Sequence, residues 1–450
     1  MEKLLFYSTN KRAPLVDLRE ALLQGQAPDK GLYMPAKIPS LTLDEINDFA
    51  NQSYAEIAFN VIKQFTHGVL DNSSLMEICN NAYNFEVPIE HVTNAFYVLR
   101  LDRGPTASFK DFAARLMARL LGRFVKETGR HITILTATSG DTGSAVASAF
   151  YGVPDIRVLV LFPEKEVSVR QRKQMTTLGG NVQTIAINGK FDDCQRMVKM
   201  AFADPALKHI PLSSANSINI GRLLPQSVYY FYAASRINQR ESVIFSIPSG
   251  NFGNMMGAVL AKKMGLPIHK LIVAVNENNE FPVFLETGTY KKIEPSKNCI
   301  SNAMNVGHPS NLARLFDIYG GHLDETGIVH KTPDITAMRR DIFSTSISDE
   351  STRETMIQAW KEYKLLLEPH GAVAWKGLIE FTKLFPTDHK NAIVLETAHP
   401  AKFPEEIERL LKFSPEPPPA IAELDSKQEN YLRMPANYEN LKEYLIENYD

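Results

Sequence analysis

Two rhythms of apolar residues divide the chain. Up to about residue 95 the apolar positions recur at helical spacing in short runs. Residues 17–23 read as an amphipathic helix closed by Gly25 and a Pro28-Asp29-Lys30-Gly31 turn, with 31–35 extended after it. Thr42 is placed to cap a helix that begins Leu43-Asp44-Glu45, and 54–65 and 74–83 continue the helical period. From about His91 the pattern becomes strand followed by helix. Apolar, β-branched runs at 96–101, 131–137, 156–162, 182–187, 243–247, 270–275 and 392–395 read as strands. Helical stretches lie between them at 109–128 (ended by Gly129), up to Phe150, at 169–178, at 191–202, at 219–235 with a break near Pro225, and at 255–264. Alternation sustained over roughly 300 residues predicts an α/β fold with largely parallel sheets.

The same pattern suggests an organisation: a mostly helical N-terminal domain (1–95), an α/β region of two sub-domains (96–412), then a Pro-rich linker and surface tail (413–450). Ligands of parallel α/β sheets gather at the carboxyl ends of strands. Three polar turns fall at such ends: 106–110, 139–143 and 250–254.

Composition narrows the classes. The chain has 450 residues, 44% hydrophobic and 22% charged, and a formal net charge of −2, which gives no footprint for nucleic acid or an anionic membrane. No apolar run approaches the ~20 residues of a membrane span. Cys79, Cys194 and Cys299 are far apart and form no CxxC pair, so neither a metal knuckle, a redox dithiol nor a disulfide framework is expected. A cytoplasmic protein without a metal fits these features.

The turns carry the candidate chemistry. Lys110 sits at a helix start after Gly104-Pro-Thr-Ala-Ser-Phe109. A lysine amine is a nucleophile only when neutral, so its pKa of about 10.4 must fall by burial or a nearby cation, or the amine must be bound to a carbonyl. Taken alone, such a lysine is more often a solvated surface charge. Ser249-Gly-Asn-Phe-Gly-Asn254 joins an apolar strand to an apolar helix, and its N–H groups with the helix N-terminus suit a phosphate; a tight turn using glycine for geometry explains it as well. Ser139-Gly-Asp-Thr-Gly143 suits a carboxylate or is an N-capping turn. Ser213-Ser-Ala-Asn-Ser-Ile-Asn-Ile-Gly-Arg222 puts amides, hydroxyls and an arginine together, either to hold a phosphate or as structure. Thr397 has a hydroxyl to offer a heterocycle nitrogen, while His399 and Lys402 flank a proline turn.

Taken in order, these segments resemble the threonine synthase family of pyridoxal phosphate (PLP) enzymes. Phe-Tyr-Ser-Thr (6–9), Ala-Leu-Leu-Gln-Gly (21–25) and Gly-Leu-Tyr-Met-Pro (31–35) resemble the family's N-terminal signature. Pro-Thr-Ala-Ser-Phe-Lys-Asp (105–111) resembles its PLP-lysine segment. Val-Gly-His-Pro-Ser-Asn (306–311), Glu-Pro-His-Gly-Ala-Val-Ala (368–374) and Thr-Ala-His-Pro-Ala-Lys-Phe (397–403) follow in family order. The resemblance implies PLP fold type II, the tryptophan synthase β-like fold. It implies that Lys110 carries the cofactor, that Gly250, Asn251, Phe252, Gly253 and Asn254 bind its phosphate, and that Thr397 faces the pyridine nitrogen. It implies O-phospho-L-homoserine as the small-molecule substrate, converted with water to L-threonine and phosphate. Ser139, Gly140, Asp141 and Thr142 would hold its α-carboxylate, and Arg222, Asn216 and Ser108 its phosphate, in a monomer or homodimer. A related lyase acting on another phosphorylated amino acid is the alternative. Three positions depart from common patterns: Asp141 stands where relatives on this fold often carry Asn, Gly371 where a hydroxyl residue often follows the histidine, and Glu396 where a small residue is usual.

Overall fold

The strand–helix alternation builds two sheets in the computed structural model, which describes residues 3–237, 242–387 and 390–449. The larger sheet has six strands in the order Ile342–Ser346, Ile268–Val275, Val243–Pro248, Ala392–Glu396, Phe96–Arg100, Ile89–Thr93. All neighbours run parallel except the last pair, which is antiparallel. The second sheet is wholly parallel, in the order Leu432–Pro435, Val182–Asn188, Ile156–Pro163, Ile132–Ala137, Leu212–Ser213. The reason lies in composition. Val243–Pro248, Ile132–Ala137 and Ala392–Glu396 are buried along their whole length, as strands covered on both faces by helices must be.

Helix ends follow local chemistry. Thr42 and Glu45 form a capping box, as do Ser53 and Glu56, each satisfying two N–H groups for about 1 kcal/mol. The helix Lys110–Thr128 ends at Gly129, whose φ of 62° is left-handed. Its Phe112, Leu116, Leu120 and Phe124 face the core at helical spacing.

Three expectations change. The N-terminal region is helical but also holds a small antiparallel sheet, Val16–Asp17, Leu5–Ser8 and Tyr33–Pro35. Residues 413–450 are not a surface tail: Leu432–Pro435 joins the edge of the second sheet, and Tyr438–Tyr449 buries Leu441 and Leu445 in one cluster with Cys194, Met197 and Val198. Tyr438, Leu441, Leu445 and Tyr449 sufficed among many charges, because they share one helical face. Between residues 276 and 391 the sequence pattern assigns no element, yet the edge strand Ile342–Ser346 and the helices Asp349–Tyr363 and Pro369–Leu384 lie there. That strand is half polar, and Ser344 donates its hydroxyl to Val273 O at 2.8 Å, so its apolar signal is weak.

Candidate active site

Three adjacent parallel strands, Val243–Pro248, Ala392–Glu396 and Phe96–Arg100, end at the same sheet edge. The turns that follow them are 249–254, 397–402 and 101–110, so topology alone brings three of the candidate segments together. The lysine turn is fastened to the neighbouring one. Phe109 N–H donates to Thr397 O at 2.9 Å, His399 N–H to Ala107 O at 3.0 Å, and Ser108 bridges Ala398. Inside the turn the Asp111 carboxylate accepts from Thr106 N–H at 2.8 Å and Thr106 Oγ1 at 2.6 Å. Gly104 is obligatory there, since a Cβ would stand 2.4 Å from Asp111 Oδ2.

The Lys110 side chain is 13% exposed, and its Nζ lies 3.6 Å from Asp141 Oδ2. Burial pushes the amine below the ordinary lysine range; Asp141 and Glu368 oppose that, while Lys402 and Arg222 reinforce it. Asp141 opens the helix Asp141–Phe150 and reaches the lysine from the second sheet. Its Oδ1 accepts from Lys402 Nζ at 3.0 Å and Gln171 Nε2 at 2.9 Å. Burial pushes this carboxyl up, but Lys402 and Lys110 outweigh it and hold it well below the usual carboxylate range. Its charge is thus matched by two lysines, and beside it stand the half-buried Ser139 and Thr142 and the opening N–H groups of the helix. Gly140, at φ 140°, has no room for a Cβ, with Gln171 atoms 2.6–2.7 Å away.

In the Gly250–Asn254 loop Phe252 is left-handed, with φ of 62°, and starts the helix Gly253–Lys263. The side chains do not all point at a ligand. Asn251 Oδ1 accepts from Ser310 N–H at 2.9 Å and Ser310 Oγ at 3.0 Å. Asn254 Oδ1 accepts from Tyr229 OH at 2.5 Å and Tyr230 OH at 2.7 Å, leaving its buried Nδ2 unpartnered. A Cβ on Gly253 would enter a space bounded by Gln226 Nε2, Ser217 and Asn311 Nδ2, at 3.5–3.8 Å. The loop thus presents the N–H groups of a helix start with space for no more than a methyl group between Gly253 and its neighbours.

Arg222 is buried in the short helix Ile220–Leu223. Its Nη1 donates to Ala215 O at 2.6 Å, while its Nε is buried without a partner. Burial brings it down to about 10. Asn216 Oδ1 and Ser108 Oγ are also buried and unpartnered. The segment is bolted in place by Arg314, which the sequence reading missed. This fully buried side chain donates to Tyr33 O at 3.2 Å, Ser217 O at 3.0 Å, Ile218 O at 2.7 Å and Asn311 Oδ1 at 2.6 Å. Its only signal was its place three residues after the Pro-Ser-Asn motif.

Thr397 is buried beside the lysine turn. Glu396, the residue before it, explains two of the unusual positions at once. A Cβ on Gly371 would lie 1.6 Å from Glu396 Oε2, so the glycine makes the room that the glutamate fills. Glu396 Oε1 accepts from Glu368 N–H at 3.1 Å. Glu368 caps its helix through Gly371 N–H at 2.9 Å and accepts from His370 Nδ1 at 2.5 Å, and His370 Nε2 accepts from Ala303 N–H at 3.1 Å. Burial first, then the Glu368 charge, push the Glu396 carboxyl well above the ordinary carboxylate range against the pull of Arg100. Replacing Gly371 by alanine is expected to destabilise the protein by about 3 kcal/mol through overpacking. Chemical denaturation would measure it, and the double variant Gly371→Ala/Glu396→Ala should regain most of the loss.

These features fit PLP. A buried lysine of lowered proton affinity, a helix start whose Gly253 leaves its N–H side uncrowded, a buried threonine hydroxyl, and the unpartnered donors Ser108 Oγ, Arg222 Nε and Asn254 Nδ2 are the groups such a cofactor and an anionic substrate require. Among the described residues no cluster of three His, Cys, Asp or Glu side chains could hold a metal, and no helix is long and apolar enough to cross a membrane.

Comparison with known proteins agrees with this geometry. Residues 85–395 match the family model described as "Pyridoxal-phosphate dependent enzyme", residues 5–83 "Threonine synthase N terminus", and residues 372–445 "Threonine synthase, C-terminal". The chain is 41% identical over 399 residues to threonine synthase of Haemophilus influenzae, covering 88% of each chain. It is 35% identical over 443 residues to that of Escherichia coli K12, covering 98% of this chain and 99% of the relative. The crystal structure of PLP-bound threonine synthase from Brucella melitensis superposes with a TM-score of 0.92 at 32% identity, over 99% of this chain and all of that one.

Proposed function

The chain belongs to the threonine synthase family of PLP-dependent enzymes, and on that premise we propose how its own residues divide the work. The reaction converts O-phospho-L-homoserine and water to L-threonine and phosphate. Bound PLP supplies an aldehyde for a lysine amine and a conjugated ring that draws electrons from the substrate's Cα.

Lys110 holds the cofactor, and, once freed, its neutral amine takes the proton from the substrate's Cα and returns it at the end. Gly250, Asn251, Phe252, Gly253 and Asn254 hold the cofactor phosphate through N–H groups of the loop and helix start, with the unpartnered Asn254 Nδ2, its amide oriented by Tyr229 and Tyr230 on Oδ1, as a further donor. The Thr397 hydroxyl faces the ring nitrogen. A neutral partner there disfavours transamination, since it leaves the ring short of a full pyridinium. Ser139, Gly140 and Thr142 orient the α-carboxylate, with Asp141 as a counter-charge for lysines rather than a ligand. Arg222, Asn216 and Ser108 hold the phosphate as it leaves from Cγ, the arginine by charge-assisted hydrogen bonds. The observation that carries this reading is the convergence of three neighbouring strand ends on one buried lysine.

The test is product analysis. PLP-loaded protein incubated with O-phosphohomoserine should release threonine and phosphate in equal amounts. Phosphate with 2-oxobutyrate would instead mark a lyase that fails at water addition. We also propose that the protein works in the cytoplasm as a monomer or homodimer. Three buried free thiols support the first point, and sedimentation would decide the second.

A further inference from the structure

Lys402 has no role in the reading above, yet it is among the least expected side chains in the molecule. Its ammonium is wholly buried, 0% exposed, and lies 3.0 Å from Asp141 Oδ1. A buried lysine is rare unless paired, and is kept only where its charge is used. The turn that carries it is rigid. Lys402 N–H donates to His399 O at 2.9 Å, Ala401 N–H to His399 Nδ1 at 3.1 Å, and Arg170 Nη1 to Ala401 O at 2.5 Å.

The arrangement around Asp141 is lopsided. One oxygen, Oδ1, is gripped by Lys402 at 3.0 Å and Gln171 at 2.9 Å. The other, Oδ2, stops 3.6 Å from Lys110, outside hydrogen-bond distance. We propose that Lys402 is a positioning residue that, with Gln171, holds the Asp141 carboxylate back from Lys110, so that their ion pair stays at 3.6 Å, short of a hydrogen bond, and the amine of Lys110 remains free to react with carbonyls. The inference rests on Lys110 being the cofactor lysine.

The electrostatic setting agrees. Lys110 is faced by Asp141 from the helix Asp141–Phe150, by Lys402 from its turn, by Arg222 from Ile220–Leu223, and by Glu368 from the cap of Pro369–Leu384. Lys402 is itself faced by Asp141, by Asp111 and by His399, whose imidazole is driven down to about 4 by burial and stays neutral near pH 7. Without Lys402, Asp141 has one cation left within reach, and closing the 3.6 Å gap would favour the ammonium form of Lys110. The amine would then be reactive only at higher pH.

The test uses the full-length protein freed of cofactor and follows covalent uptake of PLP by absorbance across pH, a readout independent of turnover. Lys402→Met should raise the pH midpoint of uptake by at least one unit, a tenfold slowing at neutral pH. Adding Asp141→Asn to it should bring the midpoint back, and Lys402→Arg should keep it. An unshifted midpoint in Lys402→Met overturns the proposal. Should that variant fail to fold, Gln171→Leu, which removes the other group holding Asp141 Oδ1, should raise the midpoint in the same direction; an unshifted midpoint there overturns the proposal. Uptake that persists in Lys110→Ala would instead overturn the cofactor-lysine reading on which it rests.

Discussion

Replacing Lys110 by alanine is expected to abolish threonine formation, by a factor of at least about 10³, because in the proposed mechanism one amine both anchors the cofactor and moves the Cα proton. The absorbance of lysine-bound cofactor should vanish with it. Stability should change little. Asp141 keeps Lys402 at 3.0 Å and Gln171 at 2.9 Å when Lys110 is gone, so no buried charge is left without a partner. Thermal melting of the cofactor-free variant beside the parent protein would check this second half. A variant that lost activity by unfolding would be distinguished at once, and normal turnover in Lys110→Ala would remove the lysine from the mechanism.

Arg314→Met is expected to cost about 3 kcal/mol of stability and to weaken substrate binding as well. The guanidinium is fully buried and makes four hydrogen bonds, all to neutral oxygens, with burial lowering it to about 9. Methionine fills similar space but leaves the carbonyls of Tyr33, Ser217 and Ile218 without that donor. Two of these lie just before Arg222 in the chain, so the segment proposed to hold the substrate phosphate should loosen and KM for O-phosphohomoserine should rise more than kcat falls. Arg314→Lys should recover less than half of the stability, because a compact ammonium cannot span the positions that a planar fork reaches. Denaturant unfolding and steady-state kinetics on both variants would check the pair of effects.

The α/β core was legible because its strands are continuously apolar and its helices strongly periodic, and Gly129 and Thr42 mark ends by well-understood capping chemistry. The candidate site was legible as turns, since glycine, serine, threonine and asparagine at strand ends are local signals. What local signals do not carry is which atom faces which. Asp141 reads as one polar residue of a turn, and only the tertiary approach of Lys402, far along the chain, makes it a counter-ion. Asn254 reads as a phosphate ligand, and only Tyr229 and Tyr230 occupy its oxygen. Gly371 and Glu396 read as two separate oddities, although each is the reason for the other. The C-terminal strand was hidden because a four-residue edge strand containing Arg433 and Pro435 looks like coil.

The pairing of Phe96–Arg100 with Ala392–Glu396 has a consequence for the newborn polypeptide. During synthesis the strand that fastens the lysine turn is made roughly 300 residues after it. Until then Lys110 lacks the neighbours that bury it, and contacts of such long sequence separation form slowly. If Lys110 holds the cofactor as proposed, its capture waits until residues 392–396 have been made and paired with 96–100.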